Sequence, residues 1–210
     1  MDLLTLIIAL VILVYSAILH EIAHGIVAYR LGDPTAKLSG RLTLNPIPHI
    51  DPFMSIILPL LLIVSGSPVI FGAAKPVPID PFNFREPKKD TALVSLAGPL
   101  TNVLIAIIAA LILRVLGATH LPSLFFQILN EIVALNILLA IFNLIPIPPL
   151  DGSKVVADFL PDREAASYLS FGSIGFIIIF ILLAFPIGGF SLSSFMFSIL
   201  NYALRLLGLG

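Results

Sequence analysis

The sequence predicts an all-α polytopic membrane protein with five membrane-crossing helices, one re-entrant segment and a short β-like stretch near residues 38–44. Three observations carry that reading. Of the 210 residues, 59% are hydrophobic and 11% charged, whereas soluble domains are about half apolar and a quarter charged. Six apolar runs, at 3–19 continuing to 29, 53–72, 92–117, 132–150, 171–187 and 190–209, approach the ~20 residues that a spanning helix needs. The basic residues also sort to one side of the bilayer under one particular topology.

The first helix is expected from Leu3 to Arg30, ended by the Gly, Asp and Pro of Leu31-Gly32-Asp33-Pro34. Residues 31–52 then form a connecting loop. Its stretch Leu38-Ser39-Gly40-Arg41-Leu42-Thr43-Leu44 alternates partly, as a short strand does, and Asn45-Pro46-Ile47-Pro48-His49-Ile50-Asp51-Pro52 is proline-rich and irregular.

Segment 53–72 is long enough to cross but carries Pro59, Gly66, Pro68 and Gly72. If it crossed, giving six spans, the basic loops 30–52 and 73–90 would lie on opposite faces, against the enrichment of Lys and Arg in cytoplasmic loops. If it re-enters, both loops share a face. Helices at 92–117, 131–150, 170–187 and 190–208 then alternate so that ten of the eleven basic residues fall on one side. The exception, Arg114, sits at a helix end where a long side chain snorkels to the interface. This topology places the N-terminus outside and the C-terminus in the cytoplasm. Re-entrant backbone is tolerated only where protein or a water-filled cavity satisfies it, which places 53–72 beside a functional site. Residues 1–210 read as one membrane domain with no internal repeat.

The net charge of -1 argues against nucleic acid as a partner. The absence of cysteine excludes disulfides and thiolate metal sites, leaving His, Asp and Glu as metal ligands. The first apolar run lacks a basic n-region and a small-residue cleavage site, so it is expected to stay in the mature protein.

The chemistry begins in that run. In His20-Glu21-Ile22-Ala23-His24 the two imidazoles lie four residues apart, on one helical face and one turn apart, where both can hold a single metal ion. Glu21 on the same turn can take a proton from a zinc-activated water and return it to the leaving amine. His20 is ten residues, roughly 15 Å, from Arg30 and so near the bilayer midplane. Three ionisable groups there cost several kcal/mol unless they have a function.

A catalytic zinc needs a third protein ligand. Glu131 is read as beginning a helix and facing an interface. Asp151 follows the prolines of Asn143-Leu144-Ile145-Pro146-Ile147-Pro148-Pro149-Leu150 and precedes Gly152. A broken helix and a close-approaching glycine could aim its carboxylate at the metal, an ordinary turn aspartate being the alternative.

The HEIAH segment, Asn45 to Pro52, Phe71-Gly72-Ala73-Ala74-Lys75-Pro76-Val77-Pro78, Ala97-Gly98-Pro99-Leu100-Thr101-Asn102 and Asn143 to Gly152, in that order and spacing, resemble the short prokaryotic branch of the site-2 protease family, without PDZ or CBS domain. The resemblance covers about residues 15–155. It implies one zinc ion held by His20, His24 and Asp151, with Glu21 as catalytic base, and cleavage of single-span membrane proteins within the bilayer.

It also places Asn143 near the scissile peptide, where an amide could stabilise the developing oxyanion. Asn102, in its Gly-Pro-x-x-Asn context, could bond a substrate strand or orient a metal ligand, though amides in hydrocarbon often serve as inter-helix glue. His49 is either a loop histidine bonded to backbone or a further ligand that would occupy the water position of an inactive state. His120, in the opposite loop, is expected to be inert. An extended substrate could pair with the edge of the 38–44 strand or with the re-entrant segment. The rival readings are an ion or solute transporter using His20, Glu21 and His24 as an ion site, and an inactive substrate-binding homologue. The first gives no reason for a glutamate directly after the first histidine, and the intact ligand and base set argues against the second. The substrate's identity and the oligomeric state are not written in the sequence.

Overall fold

The computed structural model describes residues 3–52, 57, 61, 64, 74–116 and 122–209. Its elements are α1 (Leu3–Leu31), α2 (Thr35–Leu38), α3 (Pro87–Leu116), α4 (Ser123–Asn143), α5 (Asp151–Phe159), α6 (Asp162–Leu169), α7 (Gly172–Ala184) and α8 (Leu192–Leu206), with short 3-10 turns at Ile47–His49 and Pro81–Asn83. The segment expected to re-enter at 53–72 falls outside the described residues except for 57, 61 and 64, and His120 lies outside them too.

The strand expected at 38–44 is not formed. Leu38 closes the α2 turn, and residues 39–44 continue as a turn and bends. Their partners are local: Ser39 N–H donates to Thr35 O and Arg41 N–H to Ala36 O. Partial alternation over seven residues was too short to outweigh these helix-type bonds. The end of α1 follows its sequence signal. Gly32 adopts φ +113 and Asp33 N–H bonds back to Ala28 O at 2.9 Å, a glycine-capped helix end.

Helix α3 is the hub, packing on α1, α4 and α5, while α4 also packs on α1 and α8. Its small face, Ala106, Ala109 and Ala110, meets Leu129, Val133 and Ile137 of α4 and Leu200 of α8. Small residues let helix backbones approach closely, as membrane bundles require. Outward from this core, Leu100, Leu104, Ile108 and Leu111 of α3 and much of α1 are exposed. That continuous apolar girdle suits lipid and would be an aggregation surface in water.

Among the described residues α1, α3 and α4 are long and apolar enough to cross a membrane, and the bent pair α6–α7 would make a fourth. The helix expected at 131–150 is displaced to Ser123–Asn143. Glu131 therefore lies mid-helix and does not begin one. The last two helices have 13 and 15 residues, below the ~20 of a full span.

The two ends of the described chain come together at one end of the bundle. Leu204, Leu207 and Leu209 pack with Leu113 and Leu129, and Gly208 lies beside the Arg114 guanidinium. At the N-terminus, Thr5 and Ile8 share a groove with Leu124 and Ile128. Both termini therefore sit at the end of the bundle where α3 finishes and α4 begins. Helix α8 runs parallel to α3, a direction set by packing that hydropathy alone does not encode.

Between α4 and α5 the proline-rich segment is clamped in place. Tyr168 Oη donates to Pro146 O at 2.7 Å, and a Cβ at Gly175 would overlap the Pro148 carbonyl. A Cβ at Gly152 would likewise overlap the Leu144 carbonyl. These contacts fix where Asp151, the first residue of α5, points.

Candidate metal centre

His20 and His24 project from one face of α1 with ring centroids 4.6 Å apart. Asp151 arrives from α5, and its Oδ2 lies 3.1 Å from Nε2 of each ring. All three side chains are buried. The ligand-capable atoms of His20, Glu21 and His24 fall within 4.8 Å of one another.

Space for this cluster comes from Gly98 of α3, where a Cβ would overlap Nε2 of both histidines. The next residue, Pro99, sits inside α3 and withholds the N–H that would bond one turn back, opening the helix where it faces the site.

The far ring atoms are held as well. His24 Nδ1 donates to Val94 O at 2.7 Å and His20 Nδ1 to Asn102 Oδ1 at 2.6 Å. A backbone carbonyl only accepts, so His24 carries its hydrogen on Nδ1, and the same holds for His20 opposite an amide oxygen. A ring in this tautomer, when neutral, presents an Nε2 lone pair to the side of Asp151 Oδ2, the form that a metal ligand takes. Three electron-rich atoms face one another in a buried space, an arrangement that calls for a cation. Zinc bonds of about 2.0–2.2 Å in a tetrahedron put donor atoms about 3.3 Å apart, close to the 3.1 Å here. The donor set, tautomers and spacing fit one such ion.

Glu21 is held by backbone: its Oε2 accepts from Val77 N–H at 2.7 Å. The flanking Pro76 and Pro78 stiffen the extended segment that delivers this donor. One carboxylate oxygen is thereby fixed on the same turn as His20.

Comparison with known proteins decides the family. The family model described as Peptidase family M50 matches residues 6–132 and 118–186. The chain belongs to peptidase family M50. It is 40% identical, over 86% of its length and 81% of the relative's, to the Bacillus subtilis (strain 168) protein named "Putative zinc metalloprotease YwhC". It is 31% identical, over 81% of its length and 64% of the relative's, to "Putative zinc metalloprotease Rip2" of Mycolicibacterium smegmatis (strain ATCC 700084 / mc(2)155). No solved structure matches it. The site-2 protease resemblance is thus substantiated, and the protein is a metalloprotease-family member with membrane-type helices.

In this M50 chain the remaining expected residues divide. Asn102, fully buried, contacts His20 directly. Asn143 ends α4 half-buried and donates Nδ2 to Leu139 O at 2.9 Å within its own helix. That engages one of its two amide hydrogens. His49 is buried in its loop, Nε2 donating to Thr43 O at 2.9 Å, while its carbonyl accepts from Lys75 N–H. Its Nδ1 is buried with no hydrogen-bond partner among the described residues, and His49 does not join the cluster of His20, Glu21 and His24.

Sequence reasoning missed Val77, Val94 and Gly98, whose roles are played by backbone or by a missing side chain. It also missed Lys154, whose Nζ lies 3.2 Å from Asp151 Oδ1, and Asn136, whose amide bonds Asn102. An i,i+3 basic partner and a second amide in an apolar helix were the signals available for these two.

Proposed function

We propose that this protein is an intramembrane zinc metalloendopeptidase, hydrolysing peptide bonds within or near the transmembrane segments of single-span membrane proteins. The observation that carries the reading is the convergence of His20 Nε2, His24 Nε2 and Asp151 Oδ2 beside Glu21 on buried helix faces. His20, His24 and Asp151 would hold the zinc, which when bound supplies a Lewis acid that makes water acidic enough to be used near neutral pH. Glu21, oriented by Val77 N–H, takes the proton of the attacking water and delivers it to the departing amine nitrogen. The second amide hydrogen of Asn143 is the donor for the developing oxyanion. The walls formed by α1, α3 and α4 keep bulk water out, which strengthens each of these interactions.

Nine of the eleven basic residues, all but Arg114 and Arg205, lie at the end of α1, between α1 and the first turn of α3, or in α5 and α6. The excess of Lys and Arg in cytoplasmic loops then puts the site end toward the cytoplasm of a prokaryotic cell and both termini outside.

The test is Glu21→Gln in the full chain in detergent or vesicles. Zinc content should match that of the unaltered protein, while cleavage of a single-span test substrate is lost. Cleavage that persisted would refute the assigned base. Ion or solute flux without proteolysis would favour the transporter reading.

A further inference from the structure

A line of polar groups runs away from His20 through the bundle. Asn102 Nδ2 donates to Asn136 Oδ1 at 2.9 Å. Asn136 Nδ2 donates in turn to Ile132 O at 2.8 Å and to Ser16 Oγ at 2.9 Å. Asn102 and Asn136 are both 0% exposed.

The directions in this line are forced from one end. The Ile132 carbonyl can only accept, so the Asn136 amide must turn its NH2 toward it and its oxygen toward Asn102. Asn102 must then turn its NH2 toward Asn136 and its oxygen toward His20. His20 must answer with Nδ1–H, which leaves Nε2 bare on the side of Asp151. An Asn102 amide turned the other way would offer His20 a donor, pull the hydrogen to Nε2 and block that atom as a ligand. Asn102 alone does not prevent this flip, because an amide is nearly symmetric in shape.

We propose that Asn136 is a positioning residue for the metal centre: through Asn102 it fixes the Nδ1–H tautomer of His20, with the Ile132 carbonyl as the fixed reference and Ser16 as a second, dispensable acceptor. The proposal rests on the reading of His20 as a zinc ligand. Groups that hydrogen-bond a ligating histidine typically contribute 10–100-fold to metal affinity. Asn136 does so at one remove. The bland alternative is that Asn136 merely ties α4 to α1 and α3.

The experiment measures zinc affinity by competition with a chromophoric chelator, using the purified full chain, beside thermal unfolding of the metal-stripped protein. The variants are Asn136→Ser, Asn102→Ala, their double and Ser16→Ala. Serine at 136 is too short to reach Asn102, yet its hydroxyl can bond Ile132 O within the helix, so it breaks the relay gently. Asn136→Ser should weaken zinc binding about 10-fold and add less than about 2-fold in the Asn102→Ala background, the non-additivity expected of two residues acting in series. Ser16→Ala should change affinity by less than about 2-fold, since Ile132 O still sets the direction. Unchanged affinity in Asn136→Ser overturns the proposal, as does a loss that multiplies fully in the double variant. An unaltered protein that binds no zinc sinks the zinc reading itself, a result distinct from either.

Discussion

Glu21 Oε2 and the backbone N–H of Val77 lie 2.7 Å apart, joining the candidate base on α1 to an extended segment 56 residues on. A carboxylate that serves as a base must be aimed as well as present, and here the aiming donor belongs to the main chain. Val77→Pro removes that N–H in a segment already flanked by two prolines. The expected outcome is a fall in kcat of about 10-fold or more, up to the 10²–10⁴ that general-base catalysis contributes. KM and zinc content should be little changed. Steady-state cleavage of a single-span substrate with metal analysis checks it, and an unaltered kcat would remove Val77 from the mechanism.

Gly98→Ala should abolish metal binding while sparing the bundle. The added methyl would overlap Nε2 of His20 and His24, so the histidines must turn away from Asp151. Overpacking of this kind costs about 1–3 kcal/mol, which the fold can survive. Zinc stoichiometry near zero with helical circular dichroism retained is the expected pair of results.

Lys154 should matter less. Its ammonium lies 3.2 Å from Asp151 Oδ1 but is partly exposed, and exposed ion pairs contribute about 0–1 kcal/mol. Lys154→Met should therefore weaken zinc binding by no more than about 5-fold. A loss near 100-fold would mean that Oδ1 needs this partner to keep Oδ2 on the histidines.

These expectations show where the sequence was and was not informative. His20 and His24 were legible because helix periodicity is local: spacing alone puts both imidazoles on one face, with Glu21 on the same turn. Asp151 was legible through its prolines and Gly152, which mark a break and a close approach. Val77, Val94 and Gly98 were not, because each acts through a backbone group or an absent side chain, which residue type does not report. The direction of α8 was missed for a related reason. Hydropathy says that a helix is apolar, whereas its direction follows from which face meets Leu113, Leu129 and Leu200. At 38–44 a weak alternation lost to local turn bonds, with no strand among the described residues to pair with.

Asp33 should set the acid limit of the fold. It is fully buried at the end of α1 and accepts from Thr35 N–H at 3.0 Å, Thr35 Oγ1 at 2.5 Å, Asp80 N–H at 2.8 Å and Asn83 Nδ2 at 2.8 Å. It thereby ties α1 to the segment that carries Val77. Burial opposes its ionisation, but the bonds from Thr35, Asp80 and Asn83 outweigh it and hold the pKa below the usual carboxylate value. The resulting stability is present above the unfolded value of about 3.9 and is lost as pH falls through the lower folded one. Asp33→Ala should cost about 2–4 kcal/mol at pH 7, the range for stranding several buried donors. The difference between variant and unaltered protein should narrow on acidification below about pH 4. Thermal unfolding in detergent across that window checks both. A gap that stayed constant with pH would show that Asp33 acts by packing, with its charge playing no part.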